Sequence, residues 1–301
     1  MFKTLAIGLS MLLLLGQSAA VSSSGEETAV ARLSGFNKWQ ASLWVPAGVE
    51  INHATRILFM HDGQMLFDPT TTWNHQAWEV DETLDRLISE GVLSNVVVVA
   101  IDNRGGDERR RDYFPQRAAT FIKDATVFDV HPHLDPAKGL LGADEYLAFI
   151  INDLKPYLSQ HFGLNTAGAN SYLMGSSMGG LISLYGLLEY PDEFAGAGCL
   201  STHWPGSLPD KSTGAIFAAL LEWLDQHVHK LTPRHKVYFD YGDQTLDALY
   251  PPLQKQVDEQ LAATVTRGVQ VKSVFFPGHA HEERFWAARL DQPFIFLLGA
   301  D

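Results

Sequence analysis

Seven short apolar runs recur along the chain, and most of them end in polar or small residues. They cover residues 41–47, 56–62, 95–102, 171–177, 194–202, 236–242 and 271–278. Nearly every position in these runs is apolar, whereas a strand with one solvent-facing side would alternate between apolar and polar residues. The runs therefore predict a mostly parallel sheet that is covered on both faces.

The segments between these runs have apolar residues at helical spacing. Shared apolar faces occur within residues 84–88, 146–158 and 181–188. Gly91 is placed to cap the first of these helices, Pro156 interrupts the second, and Pro191 marks the end of the third. Strands that alternate with helices predict an α/β fold, a doubly wound sheet with helices on both faces. Ligands bind beyond the carboxyl ends of the strands in such sheets, so the polar residues there are the candidates for chemistry.

The first 20 residues have the pattern of a secretory signal peptide. Lys3 precedes an apolar stretch, and Ser18 and Ala20 are the small residues of a cleavage site. The stretch is short for a membrane span, and no later stretch is long and apolar enough to be one. We therefore expect an exported protein, periplasmic or secreted, without a stable membrane anchor. Residues 21–27 are interpreted as a flexible leader, and residues 28–301, which no repeat or linker divides, as a single domain.

Composition excludes several classes of protein. The 301 residues carry 35 acidic and 22 basic side chains, for a formal net charge of −13. Nucleic acids and anionic membranes bind basic faces, so neither is an expected partner. The single cysteine, Cys199, excludes an intrachain disulfide or a multi-cysteine metal centre. Paired histidines at 131–133 and 227–229 lack the matching carboxylates of a metal site, so no metal or other cofactor is expected.

Residues 175–179 read G-S-S-M-G between a predicted strand and a predicted helix. This G-x-S-x-G spacing is typical of a nucleophile elbow. A serine on a sharp turn needs an unusual backbone conformation, and glycines on either side remove side chains that would clash. Ser177 is the predicted nucleophile. The helix that follows directs its N-terminal amides at the same point, so the amide of Met178 is a predicted oxyanion donor.

A serine hydroxyl becomes a strong nucleophile when a base removes its proton and a carboxylate orients that base. The order expected along the chain is serine, acid, histidine. We predict His281, just past the last apolar run, as the base, with His279 as a neighbour in the loop. For the acid we favour Asp247, which lies far enough into its loop to reach the next one. Asp243 and Asp240 remain alternatives.

The apolar run that starts at residue 56 opens into H-D-G-Q over residues 61–64. A glycine-containing turn at this strand end is where a second oxyanion amide is expected, because Gly63 allows the backbone to approach a substrate closely. We assign that donor to the amide of Gln64. His61 is interpreted as a residue that hydrogen-bonds the loop into shape rather than as a catalytic group.

Six segments, in the same order along the chain, resemble the putative-esterase (esterase D-like) family of α/β-hydrolases, which includes feruloyl and acetyl-xylan esterases and enterobactin-type siderophore esterases. They are MHDGQMLFD (60–68), IDNRGGDERRRDYFP (101–115), MGSSMGG (174–180), LSTHWPG (200–206), YFDYGDQTLDALY (238–250) and GHAHEERFWAARLDQPFIFLLG (278–299). The resemblance implies an α/β-hydrolase fold, a serine nucleophile and no metal. It carries the nucleophile onto Ser177, the histidine onto His281 and the acid onto Asp247. Trp286 lies where the family often has a tryptophan, whereas Gln244 lies where relatives often have an acidic residue.

Four arginines, at positions 104, 109, 110 and 111, form a basic cluster after one strand end. They are interpreted chiefly as a solvated loop that pairs with nearby carboxylates. The alternative is a site for an anionic acyl group or a ferric catecholate. Arg104, Tyr113 and Trp204 follow strand ends and are the predicted substrate-binding residues.

The expected function is hydrolysis of carboxylic esters through an acyl-enzyme on Ser177. Carbohydrate-linked acyl or feruloyl esters and siderophore esters are the expected substrates, and both rest on the resemblance, since a fold does not fix a substrate. One alternative is an acyltransferase that passes the acyl group to a sugar hydroxyl. Another is a non-catalytic binding protein on a hydrolase scaffold, against which the complete set of serine, acid and histidine argues.

Overall fold

A computed structural model describes residues 30–299. The predicted signal peptide (1–20) and the predicted leader (21–27) therefore lie outside the described residues. The strands are β1 Ala31–Arg32, β2 Ala41–Trp44, β3 Arg56–His61, β4 Val96–Ile101, β5 Ser171–Ser176, β6 Gly196–Leu200, β7 Lys236–Tyr241 and β8 Gln270–Phe275. They form one sheet in the order β1-β2-β4-β3-β5-β6-β7-β8. The pairs β1–β2 and β2–β4 are antiparallel and the other pairs are parallel. The predicted, mostly parallel sheet is confirmed.

Helices cover both faces of this sheet. They are α1 Val80–Ser89, α2 Gly106–Tyr113, α3 Val127–Val130, α4 Ala143–Phe149, α5 Lys155–Phe162, α6 Met178–Glu189, α7 Thr213–His227, α8 Pro251–Val265, α9 Glu283–Ala287 and α10 Asp291–Leu298. Along β3, Ile57 and Phe59 face a core shared with α4, α6 and α7, whereas Leu58 and Met60 face a core shared with α1 and α10. Both sides of the strand are therefore buried, which is why the apolar runs are continuous.

Each predicted run overlaps a strand, but the last strand is less covered than its sequence indicates. Phe275 of β8 is 44% exposed. The reason is its position: β8 is the end strand of the sheet and pairs with β7 alone among the described strands. The short strand β1 was not predicted, and both of its residues are exposed.

The helical stripe over residues 146–158 is not one regular helix. A π-helical turn, Ile150–Leu154, joins α4 to α5, and Pro156 lies in the first turn of α5. Proline has no N–H and its ring clashes with the carbonyl four residues earlier, so a regular α-helix could not continue through it. The wider π turn lets the chain pass the proline without a break.

The carboxyl ends of the parallel strands lie along one edge of the sheet. Asp62 follows β3, Ser177 follows β5, Ser201 follows β6 and Gly242 follows β7. Ligand sites in sheets of this type form at this edge. In the described part of the chain, none of the helices has the length and apolar character needed to cross a membrane.

Candidate active site

Ser177 lies at the junction of β5 and α6 in a strained conformation, with φ 59° and ψ −122°. A Cβ atom on Gly175 would lie 3.0 Å from the Cα of Gly179, so the close approach of these two backbones favours glycine. The Ser177 amide donates to the Leu200 carbonyl at 2.9 Å, and the His203 amide donates to the Ser177 carbonyl at 3.1 Å. Positive φ at serine is costly and persists only where the surroundings hold it in place. The turn has the geometry of a nucleophile elbow.

The loops after β7 and β8 bring the predicted acid and histidine together. Gln244 and Ala280 form an isolated parallel bridge between the two loops. The His281 amide donates to Thr245 Oγ1 at 2.9 Å, and His281 Nδ1 lies 2.6 Å from Asp247 Oδ1. A carboxylate at Nδ1 favours the tautomer with the proton on that nitrogen, which leaves Nε2 free to accept a proton.

Asp247 is fully buried and ionised. Burial alone would raise the pKa of its carboxyl, but His281 and the donors Ser201 and Gly242 outweigh burial and hold that pKa below its ordinary value. Oδ2 accepts from Ser201 Oγ at 2.6 Å and from the Gly242 amide at 2.7 Å. Since both oxygens are bonded, the carboxylate is held in one orientation.

The two alternative carboxylates have other partners. Asp243 Oδ1 accepts from a backbone amide of the next loop at 2.8 Å. Asp240 is fully buried and pairs with Arg289 at 2.8 Å, and burial raises the pKa of Asp240 to about 6. Within residues 30–299, Asp247 is the one of these three that hydrogen-bonds to His281.

The turn after β3 presents backbone amides. Asp62 is left-handed, with φ 60°. A Cβ atom on Gly63 would lie 2.7 Å from the backbone nitrogen of Ile101, so this close approach requires glycine. Across residues 30–299, the amides of Gln64 and Met178 have no acceptor. Unpaired amides at the start of a helical turn can bind an oxyanion.

An ion pair anchors this turn. Arg109 donates to both oxygens of Asp62 at 2.7 Å, and Asn103 Nδ2 donates to Oδ1 at 2.7 Å. Burial acts to raise the pKa of Asp62, but Arg109 outweighs it and the pKa lies below its ordinary value. The buried His61 Nδ1 lies 2.7 Å from Tyr146 Oη, and burial lowers the pKa of His61 to about 3. His61 is therefore neutral, and its hydrogen bond goes to a residue of α4 rather than to the loop, so its loop-shaping role stays a prediction.

The three predicted substrate-binding side chains all have partners inside the protein. Arg104 makes two 2.8 Å hydrogen bonds to Asp112. Tyr113 is 1% exposed and its hydroxyl accepts from the Asp62 amide at 3.2 Å. Trp204 is buried and donates to a glutamine side chain at 2.8 Å. Their role in substrate binding stays a prediction, and these contacts do not add support to it.

A tyrosine–histidine pair beside the serine was not predicted. The Ser207 carbonyl lies 2.8 Å from His203 Nε2, and a carbonyl only accepts, so Nε2 carries the proton. Burial lowers the pKa of His203 to about 4, so Nδ1 is unprotonated and accepts from Tyr250 Oη at 2.9 Å. The Tyr250 hydroxyl also interacts with the Ser177 side chain. His203 lies in the LSTHWPG segment, but no sequence spacing pairs it with Tyr250.

Among residues 30–299, no three His, Cys, Asp or Glu side chains are grouped so that they could hold a metal ion. His131, from one of the paired-histidine segments, lies 2.9 Å from Ser207 Oγ and 3.0 Å from Asp210 Oδ2. The lone Cys199 is buried, and burial raises the pKa of its thiol.

Comparison with known proteins gives one matching family and many similar folds. The model of the family described as "Putative esterase" matches residues 37–297. The uncharacterized protein YbbA of Bacillus subtilis (strain 168) is 25% identical over 148 residues, which are 49% of this chain and 50% of YbbA. This chain therefore spans about half the length of that curated relative.

Solved structures, two of them of esterases, share the fold. An enterobactin esterase, FES from Shigella flexneri, superposes with a TM-score of 0.64 at 16% identity, over 91% of this chain and 60% of FES. A ferulic acid esterase has a TM-score of 0.59 at 16% identity, over 90% of this chain and 97% of that chain. The BES protein from Bacillus cereus has a TM-score of 0.62 at 15% identity, over 93% and 99%. The architecture is that of the α/β-hydrolases.

Proposed function

The chain belongs to the putative esterase family, and from this premise we propose that it hydrolyses carboxylic esters through an acyl-enzyme on Ser177. The observation that carries the proposal is the 2.6 Å contact between His281 Nδ1 and the buried Asp247. That pair lies at the same sheet edge as a serine whose backbone is strained in the manner of a nucleophile elbow.

In the acylation step, Ser177 Oγ attacks the ester carbonyl carbon while His281 Nε2 takes the hydroxyl proton. The carbonyl oxygen becomes an oxyanion, and the backbone amides of Met178 and Gln64 stabilise it by donating hydrogen bonds. Asp247 stabilises the imidazolium that forms. His281 then gives the proton to the leaving alcohol as the carbon–oxygen bond of the ester breaks.

Deacylation repeats these steps with water in place of the serine. His281 takes a proton from water, the hydroxide adds to the acyl carbon, and the same two amides receive the oxyanion. Collapse of this intermediate breaks the bond to Ser177 Oγ, which takes its proton back from His281. A sugar hydroxyl in place of water would make the protein an acyltransferase.

The basic cluster favours neutral esters over ferric catecholates as substrates. Arg109 pairs with Asp62, and Arg110 with Asp107. Arg104 pairs with Asp112 as well as with a neighbouring glutamate. Because these guanidinium groups are already paired with carboxylates of the protein, little positive charge is left to hold a multiply charged anion. Neutral carbohydrate-linked acyl or feruloyl esters are therefore the substrates that we propose.

The test is hydrolysis of short aryl, feruloyl and catecholate esters by the purified protein. Ser177→Ala should lower turnover by about 10⁶, the loss seen when a triad serine is removed. Ser176→Ala, at the neighbouring buried serine, is the matched control and should retain activity. A fluorophosphonate probe should label wild type and Ser176→Ala but not Ser177→Ala.

The outcomes separate the alternatives. Transfer of the acyl group to an added polyol in preference to water would identify an acyltransferase. A folded wild-type protein that neither cleaves an ester nor reacts with the probe would overturn the serine-hydrolase proposal.

A further inference from the structure

Ser201 lies directly behind the acid of the candidate site. It follows β6, and its side chain is fully buried. Its hydroxyl oxygen lies 2.6 Å from Asp247 Oδ2, 2.8 Å from Arg289 Nη2 and 3.0 Å from Trp286 Nε1. One hydroxyl therefore has three polar partners within hydrogen-bond distance.

The chemistry of these partners fixes where the hydroxyl proton points. A guanidinium N–H and an indole N–H can only donate, so Arg289 and Trp286 use the two acceptor positions of Ser201 Oγ. The single O–H is left for Asp247, which as a carboxylate can only accept. The Ser201 hydroxyl is thus a donor of fixed direction, aimed at the oxygen of Asp247 that His281 does not use.

The position of Ser201 is fixed by contacts with Asp240 and Arg289. Its φ of 42° is a left-handed conformation that a non-glycine residue rarely adopts. The Ser201 amide donates to the Asp240 carbonyl at 2.8 Å. Asp240 Oδ1 pairs at 2.8 Å with Arg289, and both side chains are at most 1% exposed. A buried ion pair is costly to break, because the partner that remains is an unpaired charge.

We propose that Ser201 is a positioning residue that orients the Asp247 carboxylate for His281, with the Arg289–Asp240 pair keeping its hydroxyl in place. The inference rests on the proposed function, since it concerns the acid of the same site. Within residues 30–299, the partners of the Ser201 hydroxyl are Asp247, Arg289 and Trp286, and neither Ser177 nor His281 is among them. Without its hydroxyl, the Gly242 amide is the one donor left to Oδ2 within residues 30–299, and the carboxylate loses one of the bonds that set its plane.

The experiment compares Ser201→Ala with Ser183→Ala. Ser183 is an equally buried serine whose hydroxyl donates to the Gly179 carbonyl at 2.7 Å and touches neither Asp247 nor His281. Ser201→Ala should lower kcat about 10- to 100-fold with little change in KM, as expected when one hydrogen bond to a charged group is lost. Ser183→Ala should leave kcat near the wild-type value. Ser201→Gly, which removes the hydroxyl but accepts a positive φ, should behave like Ser201→Ala.

A spectroscopic signal tests the same point without turnover. The proton between His281 Nδ1 and Asp247 Oδ1 lies in a short 2.6 Å bond, so we expect a proton resonance far downfield of the amides, absent in His281→Ala. Ser201→Ala should shift or broaden this resonance, whereas Ser183→Ala should not.

The possible failures are distinguishable. If wild type hydrolyses esters and Ser177→Ala does not, the proposed function stands. If Ser201→Ala then has the same kcat and the same downfield resonance as Ser183→Ala, the positioning role of Ser201 is overturned. If wild type is inactive towards every ester and towards the fluorophosphonate, the proposed function fails. In that case an unshifted resonance in folded Ser201→Ala still overturns the positioning role, and a shifted one supports it.

Discussion

The two sides of the candidate site are held in different ways. On the acid–histidine side, Asp247 is buried and both of its oxygens are bonded. On the oxyanion side, Gln64 is exposed, and the amides of Gln64 and Met178 have no acceptor anywhere in residues 30–299. The first side is complete without a ligand, whereas the second has donors that the oxygen of a ligand would satisfy.

This difference indicates what each side must do. A group that orients a base has to stay ionised and in one position, which buried donors achieve. An oxyanion site has to be rigid and yet empty until charge develops. Here the rigidity comes from backbone strain at Asp62, the close approach at Gly63 and the ion pair between Asp62 and Arg109. We therefore expect changes on the acid side to act through protonation, and changes on the oxyanion side to act through geometry.

Among the variants that test this comparison, Asp247→Asn is expected to have the largest effect. Ser201 and the Gly242 amide both donate to the Oδ2 position, so the amide oxygen of asparagine should occupy it. The NH₂ group would then face His281 Nδ1 and force the ring proton onto Nε2, where it cannot accept the serine proton. We expect kcat to fall about 10⁴-fold, as for the equivalent change in a known triad.

Asp243→Asn is the control for that change, because Asp243 contacts a backbone amide of the next loop instead of His281. Its kcat should stay within a few-fold of wild type. A greater loss in Asp243→Asn than in Asp247→Asn would show that the acid has been assigned to the wrong residue.

Arg109→Gln sharpens the comparison from the oxyanion side. Without the guanidinium of Arg109, Asn103 is the one side-chain donor left to Asp62 in the described part of the chain, so the strained turn that presents Gln64 should loosen. Loss of a whole oxyanion donor costs about 10²- to 10³-fold. A displaced donor should cost less, about 10- to 100-fold in kcat. Steady-state kinetics on one ester would measure this.

Arg110→Gln is the matched control, since its pair with Asp107 is on the surface, where the carboxylate side chain is 72% exposed. It should change kcat little. Equal losses in the two variants would mean that the basic cluster acts through its charge rather than through the turn.

The sequence predicts what local patterns determine. The strands follow from continuous apolar runs, and the position of Ser177 follows from glycine spacing between a strand and a helix. It predicts less well what depends on how loops dock. Three aspartates were available to His281, and the choice among them depends on the fold of residues 242–247 against the next loop.

Contacts between residues far apart in the sequence were the hardest to predict. The Ser201–Asp247 contact joins residues 46 positions apart, and the Arg289–Ser201 contact joins residues 88 apart. Neither has a periodicity or a motif that would pair its members. Arg104 illustrates the same limit, because its basic character is visible in the sequence but its bidentate pairing with the buried Asp112 is not.

Arg104→Gln tests whether Arg104 binds substrate or stabilises the fold. Asp112 has 1% side-chain exposure and would keep the Trp39 indole as a donor while losing two bonds to Arg104. We expect a loss of about 1–3 kcal/mol in the free energy of unfolding, with KM for neutral esters unchanged. Arg86→Gln, at an exposed pair, should cost under about 1 kcal/mol. A large rise in KM without loss of stability would instead support substrate binding by Arg104.

The smallest effect concerns the pH dependence of stability around His61, beneath the oxyanion turn. Burial, which Asp62 opposes and Arg109 reinforces, lowers the pKa of His61 from 6.5 to about 3. Between these values the unfolded chain binds a proton that the folded chain does not, so this group makes stability fall as pH falls from 6.5. One such proton contributes at most about 1.4 kcal/mol per pH unit.

Asp240 acts in the opposite sense, since its pKa is raised to about 6, and His203, whose pKa burial lowers to about 4, acts in the same sense as His61. A single curve would therefore mix several groups. His61→Asn isolates the histidine because it can still hydrogen-bond to Tyr146. Urea unfolding from pH 5 to 7 should give a shallower slope for His61→Asn than for wild type. The exposed His53→Asn should keep the wild-type slope. Parallel curves for wild type and His61→Asn would show that His61 titrates normally in the folded protein, and that the oxyanion turn is not built on a neutral imidazole.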